Sequence, residues 1–237
     1  RRPPRSTPSL RRQRQMCIRD RFKGVRTIYL TGNNTAFISD YEYFDNREIK
    51  SANPQPWALH KQYNNIQESD ELKELNYERK TKSFLVIKND SILFEKYYDG
   101  HKQADISNSF SVAKSIVTSM MGKAIMEGKI KSLDQPVSDF FEEYKNGLAS
   151  ELTVGDLASM SSGMKWNEKY YSVINITSES YFTDDLRSVI LGQEIENKPG
   201  KGFRYSSGDT VSYTHLRAHE TPEHLGCRVV GEKKKRG

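Results

Sequence analysis

The chain has 237 residues, 35% of them apolar, and a mean hydropathy of −0.79, so no stretch is apolar enough for a membrane-spanning helix. Its formal charge of +6 is unevenly placed: residues 1–21 carry +7, residues 212–237 carry +3, and the body between them is left at −4. Basic ends around a mildly acidic body argue for solvated tails and against a nucleic-acid-binding surface.

The predicted elements run from short strands to a series of helices. From Gly24 to Tyr43, β-branched and aromatic residues around Gly32-Asn33-Asn34 predict two short strands. Ser51–Trp57 holds two prolines and reads as a loop, and Ile66–Lys80 as a charged surface helix. Ser83–Lys88 and Ser91–Tyr98 flank Asn89-Asp90, a hairpin signal. A helix should begin near Ser111, capped by Asn108 or Ser109 and ended by Gly128. Its apolar positions spread around the cylinder, which predicts a largely buried helix. Pro136 interrupts the next stretch, and Val137–Tyr144 reads as a short helix. Thr153-Val-Gly-Asp156 reads as a capping box opening a helix through Met160, stopped by Gly163. Trp166–Ser180 is irregular and aromatic-rich, and Thr183-Asp-Asp precedes a helix through Leu191. Lys198–Phe203 is a Pro/Gly turn that delivers Tyr205-Ser206-Ser207. Strands followed by helices predict an α+β fold.

Ser111-Val-Ala-Lys114 places a hydroxyl and an amine one helical turn apart. The spacing alone carries nothing: with 25 Ser and 21 Lys, chance supplies roughly two such pairs, and the chain has two, the other being Ser162 and Lys165. Context separates them. Ser162 precedes Gly163 and fits a helix end, whereas Ser111 opens an apolar helix. A helix start offers free N–H groups and the positive end of the dipole, which favour negative charge developing at the Ser111 hydroxyl. Lys114 faces the same side, and desolvation there favours the neutral amine, which is a base. The bland alternative is a capping serine beside a lysine that extends to solvent. Tyr205, about 90 residues later, is placed to relay a proton, a role that a phenol's donor and acceptor capacity allows.

Four blocks carry a resemblance. SFSVAKS (Ser109–Ser115), EGKIKSLDQPVSDF (Glu127–Phe140), LTVGDLASMSSGMKW (Leu152–Trp166) and KPGKGFRYSSGDT (Lys198–Thr210) occur in order. Together with the hairpin from Ser83 to Gly100 they resemble the serine β-lactamase-related hydrolases, in particular the esterase and amidase branch that includes 6-aminohexanoate-dimer hydrolase. The resemblance implies a β-lactamase/transpeptidase-like fold with an antiparallel sheet. It implies Ser111 as the acylated nucleophile, Lys114 as its base and Tyr205 as proton relay, with no metal or cofactor. Ser207 stands where many relatives carry Asn, so it is a candidate substrate contact, as is Tyr170 in the aromatic loop. The implied substrate is a small ester or amide. The rival readings are a β-lactamase or penicillin-binding D,D-peptidase, and a non-catalytic binding or sensing domain of the same fold.

Two departures shape the expected boundaries. The family's third motif, Lys-Thr-Gly or His-x-Gly, has no counterpart after Tyr205 except His224-Leu225-Gly226, inside the C-terminal tail. The runs Gln15–Arg21 and Val211–Glu223 resemble translated sequencing-adaptor read-through of the kind seen in environmental assemblies. The expected organisation is therefore a non-native tail over 1–21, a partial hydrolase domain over 22–210 and a second non-native tail over 211–237. The final strands of the sheet are expected to be missing, leaving an exposed, aggregation-prone edge and an inactive fragment of a parent that relatives suggest is exported. Both cysteines, Cys17 and Cys227, fall in the tails, so neither a disulfide framework nor a thiolate metal site is expected. His215, His219 and His224 lack the structural context of a metal site.

Overall fold

The computed structural model describes residues 22–26, 29–32, 35–44, 46, 48, 53–170 and 175–218. It divides into two compact units, Glu48–Ser107 and the remainder of the chain on either side of it.

The Glu48–Ser107 unit is built on the hairpin. Strands β2 (Ser83–Lys88) and β3 (Ser91–Tyr97) pair antiparallel. Asn89 and Asp90 turn with φ of 50° and 55°, the left-handed pair that a two-residue primed turn requires. A short β1 (Ala58–Leu59) adds to β3 in parallel, giving the order β1-β3-β2. The sheet is thus mixed where a purely antiparallel one was expected; two extended residues after a proline-rich loop leave no pattern that fixes their direction. Helix α1 (Asp70–Glu78) starts at Ser69, whose hydroxyl accepts from Leu72 N at 3.2 Å.

The other unit holds the main core. Helix α2 (Val112–Met126) buries Val117, Met121 and Ala124, one stripe at i, i+4 and i+7. The opposite face of α2 is exposed: Ile116 is 50% exposed and Met126 82%. The expectation of a largely buried helix is corrected, because the core covers only the face towards Ile130 and Tyr213. Val137–Asp139 and Glu142–Tyr144 form single 3₁₀ turns instead of one helix, each bringing an apolar residue into the core. Helix α3 (Val154–Ala158) opens with the expected capping box: Asp156 N donates to Thr153 Oγ1 at 3.1 Å, and Thr153 N to Asp156 Oδ2 at 3.0 Å. The stretch expected to be irregular contains α4 (Ile176–Phe182), capped by Asn175. Helix α5 (Leu186–Leu191) starts at Asp185, whose carboxylate accepts from Ser188 N at 3.1 Å.

Two further expectations change. No strand forms among the described residues between Gly24 and Tyr43; Tyr29–Thr31 and Asp40–Tyr43 are 3₁₀ turns. The buried Asp40 carboxylate accepts from Phe37 N at 2.8 Å, closing a turn where the composition suggested extension. The expected boundary after Thr210 falls inside helix α6 (Ser207–Ala218), which packs against α2, α3 and α5. Val211, Ser212 and Tyr213 are buried, so these residues are not a disordered tail. The apolar side chains Val211 and Tyr213 close the core regardless of where the sequence came from. His215 bonds within its own helix, its ring Nδ1 lying 2.9 Å from Val211 O. The expected tail over 1–21 and the part of the expected 211–237 tail from 219 on, with both cysteines, His219 and His224, lie outside the described residues.

The second Ser-x-x-Lys pair is structural. Ser162 is buried, donates to Asp209 Oδ1 at 2.7 Å and accepts from Met164 N at 3.0 Å; Lys165 lies at the surface, 3.9 Å from Glu194. Beside it, Gly163 has φ +71°, and a Cβ there would stand 2.1 Å from the Asn197 carbonyl oxygen. Gly163→Ala is expected to lower stability by about 3 kcal/mol, from left-handed strain and a backbone clash together. Gly147→Ala is the control, because its φ of +62° is strained but nothing lies within 4 Å. It should cost about 1 kcal/mol. Urea unfolding of both variants measures the difference, and equal losses would contradict the close approach at Gly163.

Candidate active site

Ser111 occupies the N-cap position of α2 with helical torsions (φ −66°, ψ −15°), but its hydroxyl caps nothing. Backbone bonds from Val112 N to Ser109 O and from Ala113 N to Phe110 O, both 3.1 Å, wind the helix start without it. The side chain is therefore available to other partners. Phe110, just before it, has φ +43°, an unfavourable conformation for a residue with a Cβ. The preceding segment is anchored by Asn108, whose N–H donates to Ile38 O at 2.8 Å and whose side-chain amide donates to Tyr181 OH at 3.1 Å. Strain next to an exposed hydroxyl, held from outside by polar contacts, is a pattern found at functional turns.

Two side chains converge on Ser111 Oγ. Tyr205 OH donates to it at 2.7 Å, and Lys114 Nζ lies 3.4 Å away. Lys114 also donates to Ser207 Oγ at 3.0 Å and sits over the Tyr205 ring, 5.2 Å from its centroid. Among the described residues no carboxylate lies within ion-pair distance of Lys114 Nζ. Tyr213 of α6 fixes the lysine's backbone: its OH donates to Lys114 O at 3.3 Å and is 2.8 Å from Thr118 Oγ1. Tyr205 is placed by its neighbour Arg204, whose N–H donates to Met160 O at 2.9 Å and whose guanidinium holds Trp166 O and, at 3.2 Å, Glu196.

The structure thus brings Ser111, Lys114, Tyr205 and Ser207 together. Tyr170 stands one contact further out. Its OH donates to Glu168 Oε1 at 2.7 Å, and partial burial followed by that carboxylate holds the phenol above the ordinary tyrosine range. Glu168 is the residue that sequence reasoning missed. It accepts from Ser207 N at 3.0 Å, from Ser207 Oγ and from the Trp166 indole N–H. A single glutamate in an irregular stretch gives no signal; only the alternation Trp166-x-Glu168-x-Tyr170 hints at a shared face.

Beneath the site, Asp209 is fully buried near the start of α6. It accepts from Ser162 Oγ at 2.7 Å and Ser206 Oγ at 2.9 Å. Burial outweighs these bonds and pushes its carboxyl up from 3.8 to about 6. The folded state therefore prefers the protonated acid. The stability this confers is complete below pH 3.8 and is lost as the pH rises through about 6. Asp209→Asn is expected to gain roughly 3 kcal/mol relative to the parent chain across that window. Chemical unfolding at stepped pH reads it out, and parallel curves for the two proteins would refute the placement of a buried acid here.

A model of the β-lactamase family matches residues 64–215, well over half of the chain. The chain belongs to the β-lactamase family. The match spans Ser111, Lys114, Tyr205 and Ser207, and it extends past Thr210 into α6. Among curated proteins, protein flp of Staphylococcus aureus strain NCTC 8325 is 27% identical over 137 residues, 53% of this chain and 27% of its own length. The same protein from strain MRSA252 is 26% identical over the same coverage. Two solved structures share the fold. A candidate 6-aminohexanoate-dimer hydrolase from Bacillus anthracis has a TM-score of 0.56 and 20% identity, covering 63% of this chain and 42% of that one. A candidate β-lactamase from Bacteroides dorei has a TM-score of 0.50 and 18% identity, covering 64% and 45%. The chain spans about a quarter of the curated relatives it matches and under half of these two structures. The fold expectation holds at this level: a small sheet and a helical region that are part of a β-lactamase-like fold. Among the described residues no helix is long and apolar enough to cross a membrane.

Proposed function

We propose that the parent protein is a serine hydrolase that cleaves a small ester or amide through an acyl-enzyme on Ser111. The observation that carries this is the convergence of Tyr205 OH at 2.7 Å and Lys114 Nζ at 3.4 Å on one exposed serine oxygen. In the proposed reaction Lys114, as the neutral amine, takes the Ser111 proton while Oγ attacks the substrate carbonyl. The Ser111 N–H at the head of α2 stabilises the developing oxyanion. Tyr205 passes a proton to the departing alcohol or amine, and the acyl–Oγ bond remains. Lys114 returns its proton to Tyr205; water then attacks the acyl group, its proton passing through Tyr205 to Lys114 and on to Ser111 Oγ as the acyl–Oγ bond breaks and the acid is released. No metal or cofactor takes part in these steps.

The preference for esters and amides over β-lactams rests on Ser207. Its hydroxyl is already bonded to Lys114 and Glu168, and it lacks the paired donor and acceptor of an amide side chain. A short-chain aryl ester, an aryl amide and a chromogenic cephalosporin, offered to the full-length parent, separate the readings. Ester or amide turnover that disappears in Ser111→Ala supports the proposal. Preferential cephalosporin turnover would point to the β-lactamase reading, and acylation without release to the sensor reading.

A further inference from the structure

We propose that Glu168 is a positioning residue that acts through Ser207 to set the direction of the hydrogen bonds around Lys114, so that the amine's lone pair faces Ser111. This role rests on Ser111 being the nucleophile, and a count of donors leads to it. Glu168 Oε1 receives Tyr170 OH at 2.7 Å and the Ser207 hydroxyl; Oε2 receives Ser207 N at 3.0 Å and the Trp166 indole N–H. A carboxylate accepts only, and an indole or backbone N–H donates only. The single Ser207 hydroxyl hydrogen is therefore committed to Glu168, and only lone pairs remain to face Lys114 Nζ at 3.0 Å. A neutral amine has two N–H bonds and one lone pair. In the reacting state, with the amine neutral, one N–H is directed to Ser207 and Tyr205 already donates to Ser111 Oγ, which leaves the lone pair of Lys114 Nζ, 3.4 Å from that oxygen, to take the Ser111 hydrogen.

Glu168→Gln reverses this direction. If the new amide nitrogen took the Oε2 place it would meet two N–H donors, Trp166 and Ser207, which cannot turn round. It must take the Oε1 place, where both partners are hydroxyls that can. Ser207 then accepts from the glutamine, and its hydrogen turns to Lys114 and occupies the lone pair needed for Ser111. Ser207→Asn would preserve the original direction, its oxygen towards Lys114 and its NH₂ towards Glu168.

The test is a double-mutant cycle on the rate of Ser111 acylation by a fluorophosphonate in the full-length parent, with thermal unfolding of each variant. Glu168→Gln and Ser207→Ala are each expected to slow acylation about 10- to 100-fold, and the double variant to be within about 3-fold of Ser207→Ala alone. Ser207→Asn should acylate faster than Ser207→Ala, because its amide keeps the direction of the bonds. A Glu168→Gln loss that persists in full without the Ser207 hydroxyl would overturn the proposal in favour of a direct field effect. So would a neutral Glu168→Gln, or a Ser207→Asn as slow as Ser207→Ala. The side-chain ¹⁵N resonance of Lys114, recorded without any substrate, decides the matter if Ser111 proves unreactive or a variant acylates for other reasons. It should move on Glu168→Gln when Ser207 is present and stay fixed in the Ser207→Ala background; movement in both, or in neither, contradicts the relay.

Discussion

Replacing Lys114 by alanine is expected to slow acylation of Ser111 in the full-length parent by about three orders of magnitude, the middle of the range for a general base. The effect should be this large because no other base stands at hand among the described residues. The partners of Ser111 Oγ are Lys114 and Tyr205, and Tyr205 uses its hydrogen as a donor to the serine. Lys114→Arg sharpens the prediction. A guanidinium keeps the positive charge but does not give up its proton in proteins. If Lys114 serves as base, the arginine variant is as slow as the alanine variant. If Lys114 serves only as a fixed charge beside the oxyanion, arginine restores much of the rate. Pre-steady-state acylation with a chromogenic ester measures both.

Tyr205→Phe is expected to lower turnover by about 10²- to 10³-fold. The substitution removes one oxygen and keeps the ring over which Lys114 sits at 5.2 Å, so the loss reports on the hydroxyl and not on packing. Only 38% of Tyr205 is exposed, and its place is held through Arg204, which the variant does not touch. The leaving group should decide the size of the defect. A nitrophenolate departs without a proton, whereas an alkoxide or an amine needs one. The defect should therefore grow from activated aryl ester to alkyl ester to amide. An equal defect across the series would assign Tyr205 to orienting Ser111 and not to proton delivery.

These effects depend on features that were unequally legible in the sequence. Local chemistry read well. Asn89-Asp90 is a turn whose two residues tolerate left-handed torsions, and Thr153 with Asp156 closes a capping box within four residues. The Ser111–Lys114 pair also read well, because one helical turn fixes its geometry. Features that depend on distant partners did not. The region around Asp40 looked extended from composition, yet a buried carboxylate on Phe37 N turns it. Val211–Tyr213 reads as foreign, yet a valine and a tyrosine two positions apart in α6 both enter the core, and the tyrosine holds Lys114 O. Glu168 was invisible, since its role comes from four donors contributed by three residues, one of them about 40 positions away. Tyr170 reads from the sequence as a candidate substrate contact, and its bond to Glu168 Oε1 has no signal there.

The proposed chemistry stands or falls on Ser111 being the residue that carries the acyl group. Intact-mass analysis of the full-length parent after brief exposure to a fluorophosphonate, followed by peptide mapping, tests this most directly. The expected result is a single adduct on the peptide containing Ser111, absent in Ser111→Ala and strongly slowed in Lys114→Ala. An adduct that survives Ser111→Ala, or that maps to another residue, would contradict it.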